Sequence, residues 1–142
     1  MKPVHPAAIL VVDDDSDHAQ IARIVLRSIA PGIPVDVCGS SALVLDAASE
    51  LPRDTLVLMD RILHGRESFG AIVELRAARP DVWVVLLSAA LSSVDRAYAI
   101  ACGAYEAMEK PGSLDGWREM LGSVVAHEPA ATAPSRRPTR AA

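Results

Sequence analysis

The chain alternates short, continuously apolar runs with segments of helical periodicity, and this alternation restricts its possible folds more than any other feature. Five such runs occur at fairly even intervals: AAILVV, IPVDVC, TLVLM, VWVVLL and YEAM. Parallel strands that are covered on both faces have this continuous apolar character. The intervening segments carry helix start and stop signals, such as Ser16 before the first and Pro80 after the third. The pattern predicts an α/β fold, (βα)5, with helices on both faces of an open, doubly wound sheet of five parallel strands.

Composition excludes several functional classes. Of 142 residues, 51% are hydrophobic and 23% are charged, which is typical of one globular domain. The net charge of -4 disfavours nonspecific binding to nucleic acid. No apolar run approaches the roughly 18 residues of a membrane span, and the first residues lack a signal-peptide pattern, so we expect a cytoplasmic protein without a membrane partner. Cys38 and Cys102 have no metal-binding spacing and are expected to be reduced thiols.

The two ends of the chain differ from its middle. Residues 1–6 precede the first apolar run and form a short N-terminal extension. Residues 127–142, HEPAATAPSRRPTRAA, contain no apolar periodicity and are predicted to be a disordered tail. The folded domain is therefore expected to occupy residues 7–126.

Polar side chains directly follow most of the predicted strands, where open parallel sheets bind their ligands. They are Asp13 and Asp14 after the first run, Asp60 after the third, Ser88 after the fourth and Lys110 after the fifth. Clustered carboxylates repel one another unless a cation offsets their charge, and Mg²⁺ or Mn²⁺ prefers such oxygen ligands. A lysine and a serine hydroxyl suit the oxygens of a phosphoryl group. The pattern predicts a metal-dependent phosphoryl-transfer site with the Asp60 carboxylate as nucleophile.

The segments ILVVDDD, LVLMD, VVLLSAA and EKP, in this order and spacing, resemble the motifs of the receiver domain of two-component response regulators. The resemblance covers about residues 7–126 and implies a flavodoxin-like sheet with strand order 2-1-3-4-5. It implies that Asp60 accepts a phosphoryl group from a histidine kinase or phosphotransfer protein. It assigns the metal to Asp13, Asp14, Asp60 and the backbone carbonyl of Ile62, and the phosphoryl group to Ser88 and Lys110. Such a single-domain response regulator promotes its own phosphorylation and dephosphorylation, is not a turnover enzyme, and signals or relays through an unknown downstream protein.

The segment DRILHGRESFG departs from the family pattern. His64, Glu67 and Ser68 stand where the family has proline, aspartate and glycine. We therefore expect a loop that is more mobile or differently shaped, with His64 facing the solvent.

The region around the last predicted strand departs as well. Ala107 stands where the family has an aromatic residue that turns inward during activation, which predicts an atypical output switch. Tyr105 would replace that aromatic only if the strand were shifted by a bulge. We also expect a cis peptide bond between Lys110 and Pro111, because the cis form of such a bond costs only about 0.5–1 kcal/mol and the resemblance points the same way.

Two alternatives remain open from the residues. A degenerate receiver would act only as a protein-binding module. A phosphatase of the haloacid-dehalogenase type would use Asp13 as nucleophile and Asp15 as acid. That family needs a further acidic pair after a later strand, which this sequence lacks, and it would leave Asp60 without a role.

Overall fold

The computed structural model describes residues 2–126, and a parallel sheet forms its centre. The sheet strands are β1 (Ala8–Val12), β2 (Val35–Cys38), β3 (Thr55–Asp60), β6 (Trp83–Ser88) and β7 (Glu106–Glu109), and a separate hairpin comprises β4 (Ile62–Leu63) and β5 (Arg66–Glu67). The helices are α1 (Ser16–Ile29), α2 (Ser41–Asp46), α3 (Phe69–Ala78), α4 (Ser93–Ala101) and α5 (Leu114–Val124), with a 3₁₀ turn at Ala48–Glu50. The order β2-β1-β3-β6-β7 confirms the predicted flavodoxin-like fold and strand order, because the hairpin lies outside the five-stranded sheet.

The core has two halves, one on each face of the sheet. Helices α1 and α5 pack together on one face, where Leu26, Trp117 and Leu121 are buried. Helices α2, α3 and α4 cover the other face with side chains that include Val44 and Ile72. Residues 55–59 of the central strand β3 are therefore buried on both faces, which explains the continuous apolar run in the sequence.

The start of α1 differs from the expectation by one residue. The N-cap is Asp15, not Ser16: its carboxylate accepts the backbone N–H groups of Asp17 and His18 at 2.9 and 3.1 Å. A capping side chain must reach the second and third helical amides, and Asp15 is placed to do so. Helix α5 is capped by Ser113, whose hydroxyl accepts the N–H of Gly116.

The N-terminal segment packs against the end of α5. Val4 is 4% exposed, donates its N–H to the carbonyl of Val124 at 2.8 Å, and accepts the N–H of Ala126 at 2.7 Å. The hydroxyl of Tyr105 donates to the carbonyl of Lys2. The tail predicted for residues 127–142 lies outside the described residues. Within residues 2–126, no helix has the length and apolar character required to cross a membrane.

Candidate acidic site at the carboxyl edge of the sheet

The adjacent strands β1 and β3 bring three aspartates together. Val12 pairs with Met59 in the parallel register, so Asp13 and Asp60 leave neighbouring strands at the same edge. One carboxylate oxygen from each of Asp13, Asp14 and Asp60 lies within 4.8 Å of the others. Asp13 is buried, and the Asp60 side chain is only 14% exposed. The predicted meeting of these side chains therefore occurs.

Lys110 enters the same cluster from the end of β7. Its Nζ lies 2.8 Å from Oδ2 of Asp13 and 3.3 Å from Oδ1 of Asp60, and its side chain is 8% exposed. All peptide bonds between described residues are trans, so the prediction of a cis bond before Pro111 is wrong. The lysine reaches both carboxylates from the trans form, which is favoured by about 0.5–1 kcal/mol for such bonds.

One ammonium group does not balance the carboxylates. Burial, followed by the charge of Asp13, raises the pKa of Asp60 to about 6, although Lys110 acts in the opposite direction. The cluster therefore still favours additional positive charge. Several carboxylate oxygens in close proximity are the donor set that a hard divalent cation prefers, so the side chains fit the Mg²⁺ or Mn²⁺ expected from the sequence.

Ser88 and Ile62 are the two remaining residues that the sequence assigned to the site. Ser88 is 5% exposed at the end of β6, and its hydroxyl donates to the carbonyl of Ala90 at 2.6 Å. The Ser88 carbonyl accepts the N–H of Lys110 at 2.8 Å, which joins the two strand ends. Ile62 begins β4 two residues after Asp60 and exposes 43% of its surface.

The segment after Asp60 forms the β4–β5 hairpin. Its two turn residues, His64 and Gly65, have φ values of 52° and 76°, which match the turns of two-residue hairpins. His64 is exposed, as expected, but it also contacts the site: its N–H donates to Oδ2 of Asp14 at 2.8 Å, and its Nε2 lies 2.9 Å from the carbonyl of Gly39. The segment that departs from the family pattern therefore forms a defined hairpin.

Ser68 fixes the backbone at the base of this hairpin. Its hydroxyl donates to the carbonyl of Asp60 at 2.8 Å, and its N–H donates to the carbonyl of Arg61 at 2.8 Å. The serine is 2% exposed, so both bonds are sheltered from water. The side chain that replaces the family's glycine thus holds the backbone of Asp60 in place.

Arg61 is a contact residue that the sequence analysis did not identify. Its guanidinium pairs with Glu67 at 2.9 Å and with Asp95 at 3.0 Å, and lies 5.3 Å from the centre of the Phe69 ring. Asp95 belongs to the capping box of α4. The residue next to Asp60 is therefore linked directly to the start of α4. No local pattern encodes a pair separated by 34 positions.

The regular pairing of β6 with β7 places Leu86 opposite Ala107, which is buried. Tyr105 precedes β7, and its hydroxyl bonds to Lys2, so it does not replace the missing aromatic residue. Asp15 is held in the α1 cap, where the backbone hydrogen bond from His18 keeps its pKa below the ordinary value. This environment disfavours Asp15 as the proton donor that the phosphatase alternative requires.

Comparisons with known proteins agree with this architecture. The family model of the response regulator receiver domain matches residues 9–121, so the chain belongs to the family of response regulator receiver domains. DNA-binding response regulator MtrA of Mycolicibacterium paratuberculosis is 38% identical over 103 residues, which cover 72% of this chain and 44% of that protein. Transcriptional regulatory protein ZraR of Salmonella typhimurium is 33% identical over 120 residues, which cover 84% of this chain and 26% of that protein. The chain thus spans less than half the length of these relatives.

Solved structures show the same fold. The receiver domain of NtrX from Brucella abortus has 28% sequence identity and a TM-score of 0.66, with 79% of this chain and 92% of that chain covered. A response regulator from Burkholderia pseudomallei, whose crystal structure contains a phosphorylated aspartic acid, a calcium ion and citrate, has 21% identity and a TM-score of 0.67, with coverage of 91% and 72%.

Proposed function

We propose that the chain is the phosphoacceptor of a two-component system and that Asp60 receives the phosphoryl group from the phosphohistidine of a histidine kinase or phosphotransfer protein. The observation that carries the proposal is the position of Asp60, within 4.8 Å of the Asp13 and Asp14 carboxylates and 3.3 Å from the Lys110 ammonium. Membership of the receiver family supports the same role.

In the proposed step, an oxygen of the Asp60 carboxylate attacks phosphorus, the bond from phosphorus to the histidine nitrogen breaks, and the imidazole leaves. Asp60 must be ionised to attack, and its pKa of about 6 leaves it mostly ionised at neutral pH. Lys110 then exchanges its contact with the Asp60 carboxylate for a phosphoryl oxygen. The Ser88 hydroxyl also donates to a phosphoryl oxygen once it turns away from the carbonyl of Ala90.

Asp13, Asp14, Asp60 and the backbone carbonyl of Ile62 are the groups that would hold Mg²⁺ or Mn²⁺. When bound, the ion supplies positive charge that offsets the carboxylates and the phosphoryl oxygens. The raised pKa of Asp60 supports this assignment, because burial and the Asp13 charge disfavour its ionised form more than Lys110 favours it.

The test is mass spectrometry after treatment with acetyl phosphate. The wild-type protein should gain one phosphoryl group in Mg²⁺ and none in EDTA. Asp60→Asn should gain none, whereas Asp36→Asn, which changes an exposed carboxylate on β2, should match the wild type. Equal labelling of the wild type and Asp60→Asn would refute the proposal. An unlabelled wild type would leave a protein-binding module as the function.

We further propose that output passes to a downstream protein through the surface around the hairpin. Ala107 has no ring that adopts a second packing state, so it contributes little coupling free energy. Arg61 provides another connection, because it follows Asp60 directly and pairs with Glu67 of the hairpin and Asp95 of α4.

A further inference from the structure

The ammonium group of Lys110 has three acceptors, and one of them lies outside the acidic cluster. Two are carboxylate oxygens of Asp13 and Asp60, at 2.8 and 3.3 Å. The third is Nδ1 of His18, at 3.1 Å. Because an ammonium group only donates, Nδ1 must accept, which places the imidazole proton on Nε2. Lys110 therefore donates hydrogen bonds to Asp13 and His18 and forms an ion pair with Asp60.

The His18 ring is held in place by contacts on two helices. His18 lies in the first turn of α1, and its backbone N–H donates to Asp15 at 3.1 Å. Oδ2 of Asp15 lies 3.6 Å from Nδ1, too far for a hydrogen bond, and does not help to hold an unprotonated Nδ1. The centre of the His18 ring lies 6.3 Å from that of Trp117, which is 4% exposed in α5. The imidazole thus bridges α1 and α5 beside the Lys110 ammonium.

The three acceptors would have different fates during phosphoryl transfer. Under the proposed function, a divalent ion competes for Asp13, and the phosphoryl group replaces the contact with Asp60. His18 takes no part in either exchange, so its Nδ1 stays available as an acceptor in both events. We infer that His18 is a positioning residue that keeps the Lys110 ammonium directed at the phosphoryl group while metal and phosphate occupy the carboxylates. This inference rests on the proposed function of Asp60.

The test compares two substitutions of His18 that differ in one property. His18→Asn keeps an acceptor oxygen near the position of Nδ1, whereas His18→Leu removes the acceptor and keeps a side chain of moderate size. Gln20→Ala, at an exposed position of α1, is the control. The first measurement is the initial rate of Asp60 labelling by acetyl phosphate in saturating Mg²⁺. The second is the NMR signal of the Lys110 ammonium protons, which reports their protection from water without phosphorylation.

We expect His18→Leu to slow labelling by about tenfold, which corresponds to about 1.4 kcal/mol and to the size of a hydrogen bond with a charged partner. His18→Asn should stay within about threefold of the wild type, and Gln20→Ala should equal it. The Lys110 ammonium signal should exchange faster in the leucine variant only. Thermal unfolding of each variant verifies that the fold is retained.

Two results would overturn the inference while the proposed function stands. A leucine variant that is labelled at the wild-type rate would show that Lys110 does not depend on His18. An asparagine variant as slow as the leucine variant would assign the effect to the ring and its contact with Trp117. A wild type that is not labelled at Asp60 at all refutes the proposed function and the inference with it.

Discussion

Replacement of Asp60 by asparagine is expected to stabilise the protein in metal-free buffer. Burial and the nearby Asp13 carboxylate raise the pKa of Asp60 from its ordinary 3.8 to about 6. A carboxyl group whose pKa is raised by folding stabilises the folded state when protonated, and this stability is lost as the pH rises from about 4 to about 6. At pH 8 the wild type therefore carries an ionised group that the folded state disfavours, and the asparagine removes it.

The magnitude follows from the pKa difference. One pKa unit corresponds to about 1.4 kcal/mol, so the rise from 3.8 to about 6 sets an upper limit of about 3 kcal/mol. The Asp60 side chain is 14% exposed, which leaves some contact with water. We expect Asp60→Asn to raise the free energy of unfolding by about 1–3 kcal/mol at pH 8 in EDTA. At pH 4.5 the gain should shrink to about a third of its value at pH 8, because Asp60 is then mostly protonated in the folded state but already mostly ionised in the unfolded chain.

Urea unfolding followed by tryptophan fluorescence measures this difference at both pH values. Asp36→Asn is the control and should change the unfolding free energy by less than about 0.5 kcal/mol, as exposed surface substitutions usually do. Addition of Mg²⁺ should close the gap at pH 8, since ion binding stabilises the wild type and the asparagine variant lacks one ligand. An Asp60→Asn variant that is less stable than the wild type at pH 8 in EDTA, or a gain of the same size at pH 4.5, would rule out an electrostatic cause.

Three further predictions concern the hairpin and its link to α4. Arg61→Ala removes the ion pair with Asp95, so it should speed amide hydrogen exchange at the start of α4 and lower the free energy of unfolding by about 1 kcal/mol. Arg66→Ala, at an exposed position of the hairpin, is the control, and equal exchange rates in the two variants would contradict a link between Arg61 and α4. Gly65→Ala should lower the free energy of unfolding in urea by about 1 kcal/mol, because the φ of 76° at this position is unfavourable for alanine. An unchanged urea midpoint would contradict this turn conformation. Beryllofluoride with Mg²⁺ should slow amide hydrogen exchange at residues 61–70 more than in α5. Large, matched protection across residues 92–109 and α5, with little at residues 61–70, would contradict this prediction.

The sequence by itself determined the fold and which strand-end residues come together. Continuous apolar runs specify strands buried on both faces, and parallel strands end at the same edge of a sheet. Asp13, Asp60 and Lys110 follow three such runs, so their meeting required no knowledge of side-chain packing. The proline at position 80 likewise predicted that the third helix stops before it, and α3 ends at Ala78.

Only the tertiary structure decided how side chains are oriented around that edge. The prediction of a cis bond before Pro111 was wrong. The sequence did not predict the hairpin after Asp60, the contact of Arg61 with Asp95 or the contact of Lys110 with His18. His18 and Lys110 are 92 positions apart: His18 lies in the first turn of α1, and Lys110 lies between β7 and α5, the helix that packs against α1. Periodicity specifies which faces are buried, but the partner of a side chain at the rim depends on how separate elements pack against one another.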